Sequence, residues 1–413
     1  MKQLLLTLIL LVFVGGFVKA QRLADVYNTR NGNLPADFTT AVLQTADGGR
    51  VIGTQGAGLV RVSSSGVTTV FNTSNSGIGS NFIASLAQTT NGDIWVGTNG
   101  GGLSRFSGGV WSTFTIFNSG LPSNNVRSIA TQGNNLLVAT QFGLSFYSDA
   151  TGWSTLNAGN STLPSSNIST VHIDALNRVW VGTVGGGIAV QVGTNSFQTY
   201  NISNSGLQSN DIRAITSNSG GVIFAATAGG GFAVFNFGFW QPYTALNSGL
   251  PDNFINGIAV DRAGIIWLAT NTAGLLAYDG KDYHRFNTSN SPIPTNQLLS
   301  VQVDSRGNKW ITSPGGLVHF LRSVVRLRSF GATEFCPSGN TTLQAYTSAS
   351  TVFYSWKRDN LFLSATDSLL NINQGGVYQV TVTDTGGYNM VSFPLTIRVL
   401  QPPVARITAL GNT

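Results

Sequence analysis

The segment Asn91-Gly92-Asp93-Ile94-Trp95-Val96-Gly97-Thr98, followed closely by Gly100-Gly101-Gly102-Leu103, decides the interpretation of the sequence because it recurs along the chain. Each copy ends its apolar run on a hydroxyl residue, which we call the anchor. The anchors are Thr54, Thr98, Thr140, Thr183, Thr227, Thr270 and Ser313. Successive anchors are 42–44 residues apart, which gives seven copies. A strand-rich repeat of about 40–45 residues is typical of β-propellers, where each repeat forms one four-stranded blade.

Each copy divides into four strand-like segments. The alternating segment Val126–Thr131 is typical of an inner strand, and the Trp-Val-Gly-Thr segment follows such a strand in each repeat. The third strand is predicted at Leu103–Phe106 and the outer strand at Trp111–Phe117. Glycine-rich turns join them, since two-residue hairpins need positive φ. Between blades runs a link such as Asn118-Ser119-Gly120-Leu121-Pro122.

The two ends of the repeat array predict how it closes. The last copy stops after its third strand, Leu317–Phe320, whereas Leu23–Asn28 matches the outer strand of a repeat. Pairing these two segments completes a seventh blade and leaves no open sheet edge there. One position in each second strand carries a large apolar residue, which we assign to the core between blades. These residues are Val51, Trp95, Leu137, Trp180, Phe224, Trp267 and Trp310.

Composition supports an all-β chain and argues against nucleic-acid binding. Of the 413 residues, 42% are apolar and only 9% are charged, which excludes an all-helical or coiled-coil protein. The net charge is +6, but residues 21–320 hold thirteen basic and twelve acidic residues, scattered over the repeats. A nucleic-acid site would gather its basic residues on one face.

The N-terminus predicts export. Lys2 precedes the apolar run Leu4–Val18, and Val18-Lys19-Ala20 fits a cleavage site, so residues 1–20 are predicted to be a signal peptide. The mature chain, without a later stretch long enough to cross a bilayer, is expected in the periplasm, at the cell surface or outside the cell. The single cysteine, Cys336, is expected to be a small buried hydrophobe.

The repeat pattern stops after Phe320, so we place the propeller at 21–321 and a second domain at 322–400. Arg322, Arg326 and Arg328 are expected to form a solvated hinge. Alternating strands then follow at Thr342–Ala345, Val352–Lys357 and Val377–Thr383. With Trp356 as core tryptophan and Tyr378 as corner tyrosine, the pattern resembles a bacterial immunoglobulin-like β-sandwich. Residues 401–413 are interpreted as a linker and the start of a truncated second such repeat.

The repeated motifs resemble those of the two-component regulator propeller family. The resemblance rests on residues 91–103 and on the Asn-Ser-Gly-Leu-Pro links, and it covers about residues 22–320. In that family such repeats form extracytoplasmic ligand-binding sensors of hybrid two-component systems. The resemblance implies a non-catalytic propeller that binds a small molecule, a glycan or a surface protein, with no cofactor and no catalytic residues.

Two positions vary among the copies while their neighbours repeat, and both should lie on one face around the central channel. Just before the inner strand, this position includes Arg127, Arg213 and Asn256; after the anchor, it includes Gln55, Asn99, Gln141 and Asn271. Together these seven residues form a candidate ligand site rich in hydrogen-bond donors, suited to hydroxyls or carboxylates. The alternative is that the arginines only cap strand ends in water.

A propeller enzyme of the streptogramin-lyase or hydrolase type is the competing hypothesis. Those lyases, which resemble this repeat period, use histidine and glutamate with a metal. Here the propeller segment has no Glu, and His172, His284 and His319 fall in different parts of their repeats, so no metal site is predicted. Asp47, Asp93, Asp261 and Asp304 occupy turns where Asp typically bonds the backbone two residues on; a calcium ion at Asp261 or Asp304 stays open.

Overall fold

The structure, a computed structural model, describes residues 24–321, 325–347, 352–384 and 389–400. The predicted signal peptide (1–20), and the predicted linker and second repeat (401–413), lie outside the described residues. Within the described ranges, no helix is long and apolar enough to span a membrane. The helix that these ranges contain is the single turn Ala245–Ser248.

Residues 24–321 form seven four-stranded antiparallel sheets, numbered here in chain order from the first complete one. From first to fourth strand, sheets 1–3 are Thr39–Gln44, Arg50–Thr54, Leu59–Val62, Thr68–Phe71; Ile83–Gln88, Ile94–Thr98, Leu103–Ser107, Val110–Phe114; and Val126–Gln132, Asn135–Thr140, Gly143–Ser148, Gly152–Leu156. Sheets 4 and 5 are Ile168–Ile173, Val179–Thr183, Ile188–Gln191, Phe197–Tyr200; and Ile212–Ser217, Ile223–Thr227, Phe232–Asn236, Phe239–Tyr243. Sheets 6 and 7 are Ile255–Val260, Ile266–Thr270, Leu275–Tyr278, Tyr283–Phe286; and Ser300–Val303, Lys309–Ser313, Gly316–Phe320, Ala24–Tyr27.

Each anchor hydroxyl closes the turn between the second and third strands of its sheet. Thr98 Oγ1 donates to the carbonyl of Gly102 (2.8 Å) and accepts from the N–H of Gly101 (3.1 Å). Gly102 has φ of +79°, and a Cβ on it would collide with the carbonyl oxygen of Phe114. The hydroxyl-to-glycine bond recurs at Thr54, Thr98, Thr140, Thr183, Thr227, Thr270 and Ser313. The repeated Thr and Gly are therefore both required by the turn geometry.

The links between sheets are held by their own asparagine side chains. Asn118 accepts from the N–H of Thr115 (2.7 Å) and donates to the carbonyl of Thr113 (3.0 Å), while Leu121 is buried. Because these bonds fold the chain into a turn, the fourth strand of sheet 2 ends at Phe114 and not at the predicted Phe117. The same donation to the backbone five residues earlier occurs at Asn31, Asn75, Asn118, Asn160, Asn204, Asn247 and Asn290.

The leading strand completes sheet 7, as the sequence predicted. Ala24 pairs with Phe320 and Tyr27 with Leu317, in antiparallel register. The first strand of sheet 1 also contacts sheet 7, because Thr39 Oγ1 donates to the carbonyl oxygens of Ser313 (3.2 Å) and Gly316 (3.1 Å). Since first strands of consecutive sheets contact one another, the series of sheets returns on itself.

The core lies between neighbouring sheets. The predicted burial of the large apolar position is confirmed, with an exposed fraction of at most 6% in every copy: Val51, Trp95, Leu137, Trp180, Phe224, Trp267 and Trp310. Trp180, for example, packs against Trp240 of the next sheet, with ring centroids 6.2 Å apart. Lys309 is a charged residue in this apolar core. It occupies the position directly before Trp310, which other copies fill mostly with apolar residues, and it lies fully buried over the Trp267 ring.

Beyond residue 324 the chain forms two further sheets. One joins Arg326–Ser329, Thr341–Tyr346 and Leu369–Ile372; the other joins Glu334–Phe335, Leu395–Val399, Gly376–Asp384, Val352–Arg358 and Leu361–Phe362, with Asn389–Val391 paired to Gly376–Asp384. Trp356 is fully buried and donates to the carbonyl of Asp367 (2.8 Å). The Tyr378 hydroxyl donates to the carbonyl of Gln374, four residues earlier (2.8 Å).

Two expectations for this region are wrong. Arg326 and Arg328 belong to a strand paired with Thr341–Tyr346 and do not form a hinge, because alternate residues of Arg326–Ser329 face the domain core, where Leu327 packs. Arg322 lies outside the described residues. Cys336 is a free, exposed thiol and not a buried hydrophobe, because it lies in the turn after the short strand Glu334–Phe335.

Candidate ligand-binding site

The first variable position is a β-bulge. The sequence analysis described it as just before the inner strand, although the predicted strand Val126–Thr131 already includes Arg127. In sheets 1–6 it is the second residue of the first strand, where the ladder shifts register. In sheet 7 the equivalent Leu299 does precede its strand. A bulge inserts one unpaired residue and redirects its side chain. The seven residues, Thr40, Ala84, Arg127, Ser169, Arg213, Asn256 and Leu299, all line one cavity of about 530 Å³ inside the ring of sheets, here called the channel.

The second variable position is fixed beside the start of the same sheet. The N–H of Asn99, the residue after the anchor Thr98, donates to the carbonyl of Phe82, which directly precedes the first strand (2.9 Å). Gln55 bonds Phe38 in the same way (2.9 Å). The backbone N–H at this position is therefore already hydrogen-bonded within the sheet, and the side chains face outward at this end of the ring.

Four of the seven predicted site residues line one cavity. Gln55, Asn99, Gln141 and Arg127 surround a cavity of about 480 Å³, here called the mouth pocket. It also includes two residues that the sequence analysis missed, Phe82 and Asn125. Its volume lies in the range of small-molecule sites.

The other three predicted residues lie elsewhere. Arg213 and Asn256 line the channel together with Arg127. The amide of Asn256 donates to the carbonyl of Leu298 (2.9 Å), which links neighbouring sheets. Asn271 lies outside both cavities and accepts from Gln297 (3.4 Å).

The residues that the sequence analysis missed belong to a third variable position, which lies two residues before the bulge position and, in sheets 1–6, directly before the first strand. Its seven members are Phe38, Phe82, Asn125, Asn167, Asp211, Phe254 and Gln297. Comparing the copies at this position as well would have found it. Phe82 is 49% exposed, so an apolar ring face is presented to the mouth pocket beside four amide side chains.

Two arginines contribute positive charge at this end of the ring. Arg127 donates to Asn167 Oδ1 and to the carbonyl of Ile168 (3.4 Å). Burial lowers the pKa of Arg127, and the positive charge of Arg213 lowers it further. The guanidinium of Arg213 lies 5.3 Å from the centre of the Phe254 ring. None of the described residues that line the mouth pocket or the channel is Asp or Glu.

The three propeller histidines do not converge on one site. His172 lines a third cavity, of about 820 Å³, at the opposite end of the first strands, and its Nε2 lies 2.8 Å from Ser217 Oγ. Burial lowers the pKa of His172. His319 stacks on Trp310 in sheet 7, and His284 lies in the fourth strand of sheet 6. Across the described ranges, no group of three or more His, Cys, Asp or Glu residues could hold a metal ion.

The aspartates considered for calcium serve the turns. Asp261 Oδ1 accepts from the N–H groups of Ala263 (2.9 Å) and Ile265 (3.1 Å), and its Oδ2 accepts from Trp267 Nε1 (3.0 Å). Asp304 makes the same set of bonds in sheet 7. Donors that point at the carboxylate oxygens occupy the positions that a cation needs, so these turns do not form a calcium site.

Comparison with known proteins agrees with this architecture. Residues 77–100 and 249–272 match the family described as two component regulator propeller. By sequence, no curated protein matches the chain. Among solved structures, the extracellular domain of the putative hybrid two component system BT3049 from B. thetaiotaomicron is 21% identical with a TM-score of 0.64, covering 92% of this chain and 58% of that one.

Two further structures share the fold. The extracellular domain of the putative hybrid two component system BT4673 from B. thetaiotaomicron has 12% identity and a TM-score of 0.60, covering 93% of this chain and 60% of that one. PorZ, an essential bacterial surface component of the type-IX secretion system of Porphyromonas gingivalis, has 15% identity and a TM-score of 0.56, covering 88% and 59%. The chain thus spans about 58–60% of the length of these three proteins.

The ring of four-stranded antiparallel sheets and these likenesses define an all-β protein of the β-propeller class. More particularly, two segments of the chain, residues 77–100 and 249–272, match the two component regulator propeller family.

Proposed function

We propose that this protein is an exported, non-catalytic propeller that binds a ligand at the mouth pocket. The observation that carries the proposal is that side chains from the variable positions of three sheets, Gln55, Asn99, Arg127 and Gln141, surround one cavity. The anchors and links repeat in every copy, whereas the positions that vary lie together at one end of the ring. Such a division suits a protein that recognises a ligand. Export is supported by the predicted signal peptide and by the likeness to domains described as extracellular.

The chemistry of the mouth pocket favours a polyhydroxylated ligand such as a glycan. The exposed face of Phe82 offers an apolar platform, and the amides of Gln55, Asn99 and Gln141 offer both donors and acceptors. Apolar surface with a few placed polar groups is what orients a small ligand in a cavity. A glycan presents the same combination, since its ring has apolar C–H faces and hydroxyl edges.

We further propose that the seven sheets are the blades of a seven-bladed propeller, residues 21–321, closed by the N-terminal strand. For residues 322–400 we propose an immunoglobulin-like sandwich. The buried Trp356 and the backbone bond of the Tyr378 hydroxyl support it, because a core tryptophan and a tyrosine corner are marks of that fold. Its role would be to display the propeller.

A binding screen on the purified chain from residue 21 tests the proposal. Glycan arrays and a library of small carboxylic acids are the probes, and the hits are measured again by calorimetry on Phe82→Ala and Asn99→Ala. We expect each substitution to weaken a hit at least tenfold. Phe237→Ala is the matched control, because Phe237 is 91% exposed in a turn between the third and fourth strands of sheet 5. Hits that bind both variants as tightly as wild type would refute the mouth pocket as the site.

A further inference from the structure

Three consecutive bulge residues place donor groups on one side of the channel. Arg127, Ser169 and Arg213 occupy the same position in sheets 3, 4 and 5 and line the same cavity of about 530 Å³. Neighbouring sheets contact each other through these first strands, so the serine lies between the two arginines around the ring.

Among the residues that the structure describes, no carboxylate forms an ion pair with either guanidinium of this group. The hydrogen-bond acceptors of Arg127 are the neutral Asn167 amide and the carbonyl of Ile168, and Arg213 lies over the Phe254 ring. The channel lining contains no acidic side chain among the described residues. Two positive charges thus face one cavity; burial lowers the pKa of Arg127, and the charge of Arg213 lowers it further.

Elsewhere in the ring some arginines are paired with carboxylates. Arg105 contacts Asp93 (2.6 Å) and Asp149 (3.1 Å), and Arg178 contacts Asp174 (2.6 Å). Others are not paired within the described ranges, such as Arg285, which donates to the carbonyl of Ala273 (2.7 Å). Arg127 and Arg213 differ from these in lining one cavity together.

Ser169 supplies an independent observation. Its hydroxyl is buried and has no hydrogen-bond partner within the described part of the chain. A buried hydroxyl without a partner costs free energy, so such groups are normally satisfied. A ligand atom that reaches this hydroxyl from the channel would satisfy it.

We propose that the channel binds a carboxylate of the ligand, held by Arg127 and Arg213 and by the Ser169 hydroxyl. This rests on the proposed function and deepens it, since it assigns the ligand to acidic molecules. Guanidinium forks match the two oxygens of a carboxylate, and charge-assisted bonds of this kind are about twice as strong as neutral ones. The remainder of the ligand reaches the mouth pocket, because Arg127 lines both cavities. The source is either an acidic glycan or a small organic acid.

Calorimetry with three probes tests the proposal: trigalacturonate as an acidic glycan, galactotriose as its neutral counterpart, and citrate as a small acid. We expect trigalacturonate or citrate to bind at least tenfold more tightly than galactotriose, and more weakly as NaCl is raised. Binding of trigalacturonate without citrate identifies a glycan as the source, and the reverse identifies a small acid.

Variants then locate the carboxylate. Arg127→Gln and Arg213→Gln should each weaken the acidic probe at least tenfold, while Arg213→Lys, which keeps the charge but not the fork, should lose less. Arg262→Gln is the control with the same change of charge, because Arg262 is exposed in the turn at the opposite end of the first strand of sheet 6. Unchanged thermal unfolding of each variant shows that it is folded.

Two outcomes overturn the inference. The first is that neither acidic probe binds at millimolar concentration. The second is that galactotriose binds as tightly as trigalacturonate and the arginine variants leave both affinities unchanged. In the second case Phe82→Ala still reports on the mouth pocket, so the proposed function stands or falls separately.

Discussion

Two glycines of one turn allow the steric demand of the repeat to be measured. Gly229 and Gly231 both lie in the turn between the second and third strands of sheet 5, with φ of +83° and +71°. A Cβ on Gly229 would meet nothing within 4 Å, whereas one on Gly231 would collide with the carbonyl oxygen of Tyr243 and approach Leu250 Cδ2 at 3.1 Å. Gly229→Ala and Gly231→Ala therefore share the backbone penalty and differ in the collision.

The magnitudes follow from these two contributions. An alanine at positive φ costs about 1–2 kcal/mol, and this applies to both variants. The gain from restricting the unfolded chain, about 0.4–1 kcal/mol, is also shared and cancels in the comparison. The collision adds overpacking of about 1–3 kcal/mol, to Gly231→Ala alone. We expect Gly231→Ala to lower the free energy of unfolding by about 1–3 kcal/mol more than Gly229→Ala does.

Urea unfolding followed by tryptophan fluorescence measures this difference, since the core tryptophans report on the packing between sheets. The comparison requires equal m-values for both variants, because a changed m-value would mean a changed unfolding reaction. Equal unfolding free energies for the two variants would refute the argument that the repeated glycine is required by the carbonyl of the fourth strand.

Three further predictions concern buried polar groups. Burial lowers the pKa of His319 to about 4, so the neutral imidazole contributes fully to stability above pH 6.5, and this contribution is lost as the pH falls towards 4. Between pH 6.5 and 4, the unfolding free energy of His319→Gln should therefore fall by about 1–3 kcal/mol less than that of wild type, as measured by urea unfolding. Burial also lowers the pKa of Lys309 to about 8, so the unfolded chain binds more protons above pH 8; the unfolding free energy should rise between pH 8 and 9.5, and Lys309→Met should flatten that rise. Trp95 Nε1 is buried without a partner in the described chain. In sheets 4, 6 and 7 the equivalent tryptophan donates to an aspartate six residues earlier, and in sheet 2 that position holds Thr89. Thr89→Asp should supply the missing acceptor and stabilise the protein by about 1 kcal/mol, as measured by thermal unfolding.

Each of these predictions has a contrary outcome. Unfolding free energies of His319→Gln that run parallel to those of wild type from pH 6.5 to 4 would contradict the first. The second is wrong if Lys309→Met keeps the wild-type slope above pH 8. For the third, Thr89→Asn is the control because it lacks the charge, and a lower melting temperature for Thr89→Asp than for wild type would show that the carboxylate does not reach Trp95.

The sequence predicted the strands well because the turns that join them require particular residues at fixed positions. The anchor Thr98 and the positive-φ Gly102 are both demanded by one turn, and a pattern repeated seven times averages out the noise of any single copy. The closing pair, Ala24 with Phe320, was predictable because the last copy lacks a fourth strand and the N-terminus carries one strand that belongs to no complete copy.

What the sequence missed lies where neighbours in space are distant in the chain. The bulge at Arg127 depends on the register of two strands, and register is not visible in a single strand. Phe82 was overlooked because an aromatic residue before a strand is typical of a core residue, whereas here it is half exposed. Arg326 was assigned to a hinge on charge alone, although its strand partner Tyr346 lies twenty residues further on.

The closing pair also sets an order of events in biosynthesis. Ala24 is among the first residues of the ring to be made and its partner Phe320 is the last, about 300 residues later, so this contact has a very large sequence separation. Sheet 7 cannot form until translation has passed Phe320, and until then the leading strand Ala24–Tyr27 has no partner strand. A nascent chain of this kind keeps an unpaired strand for most of its synthesis, and unpaired strand edges favour aggregation.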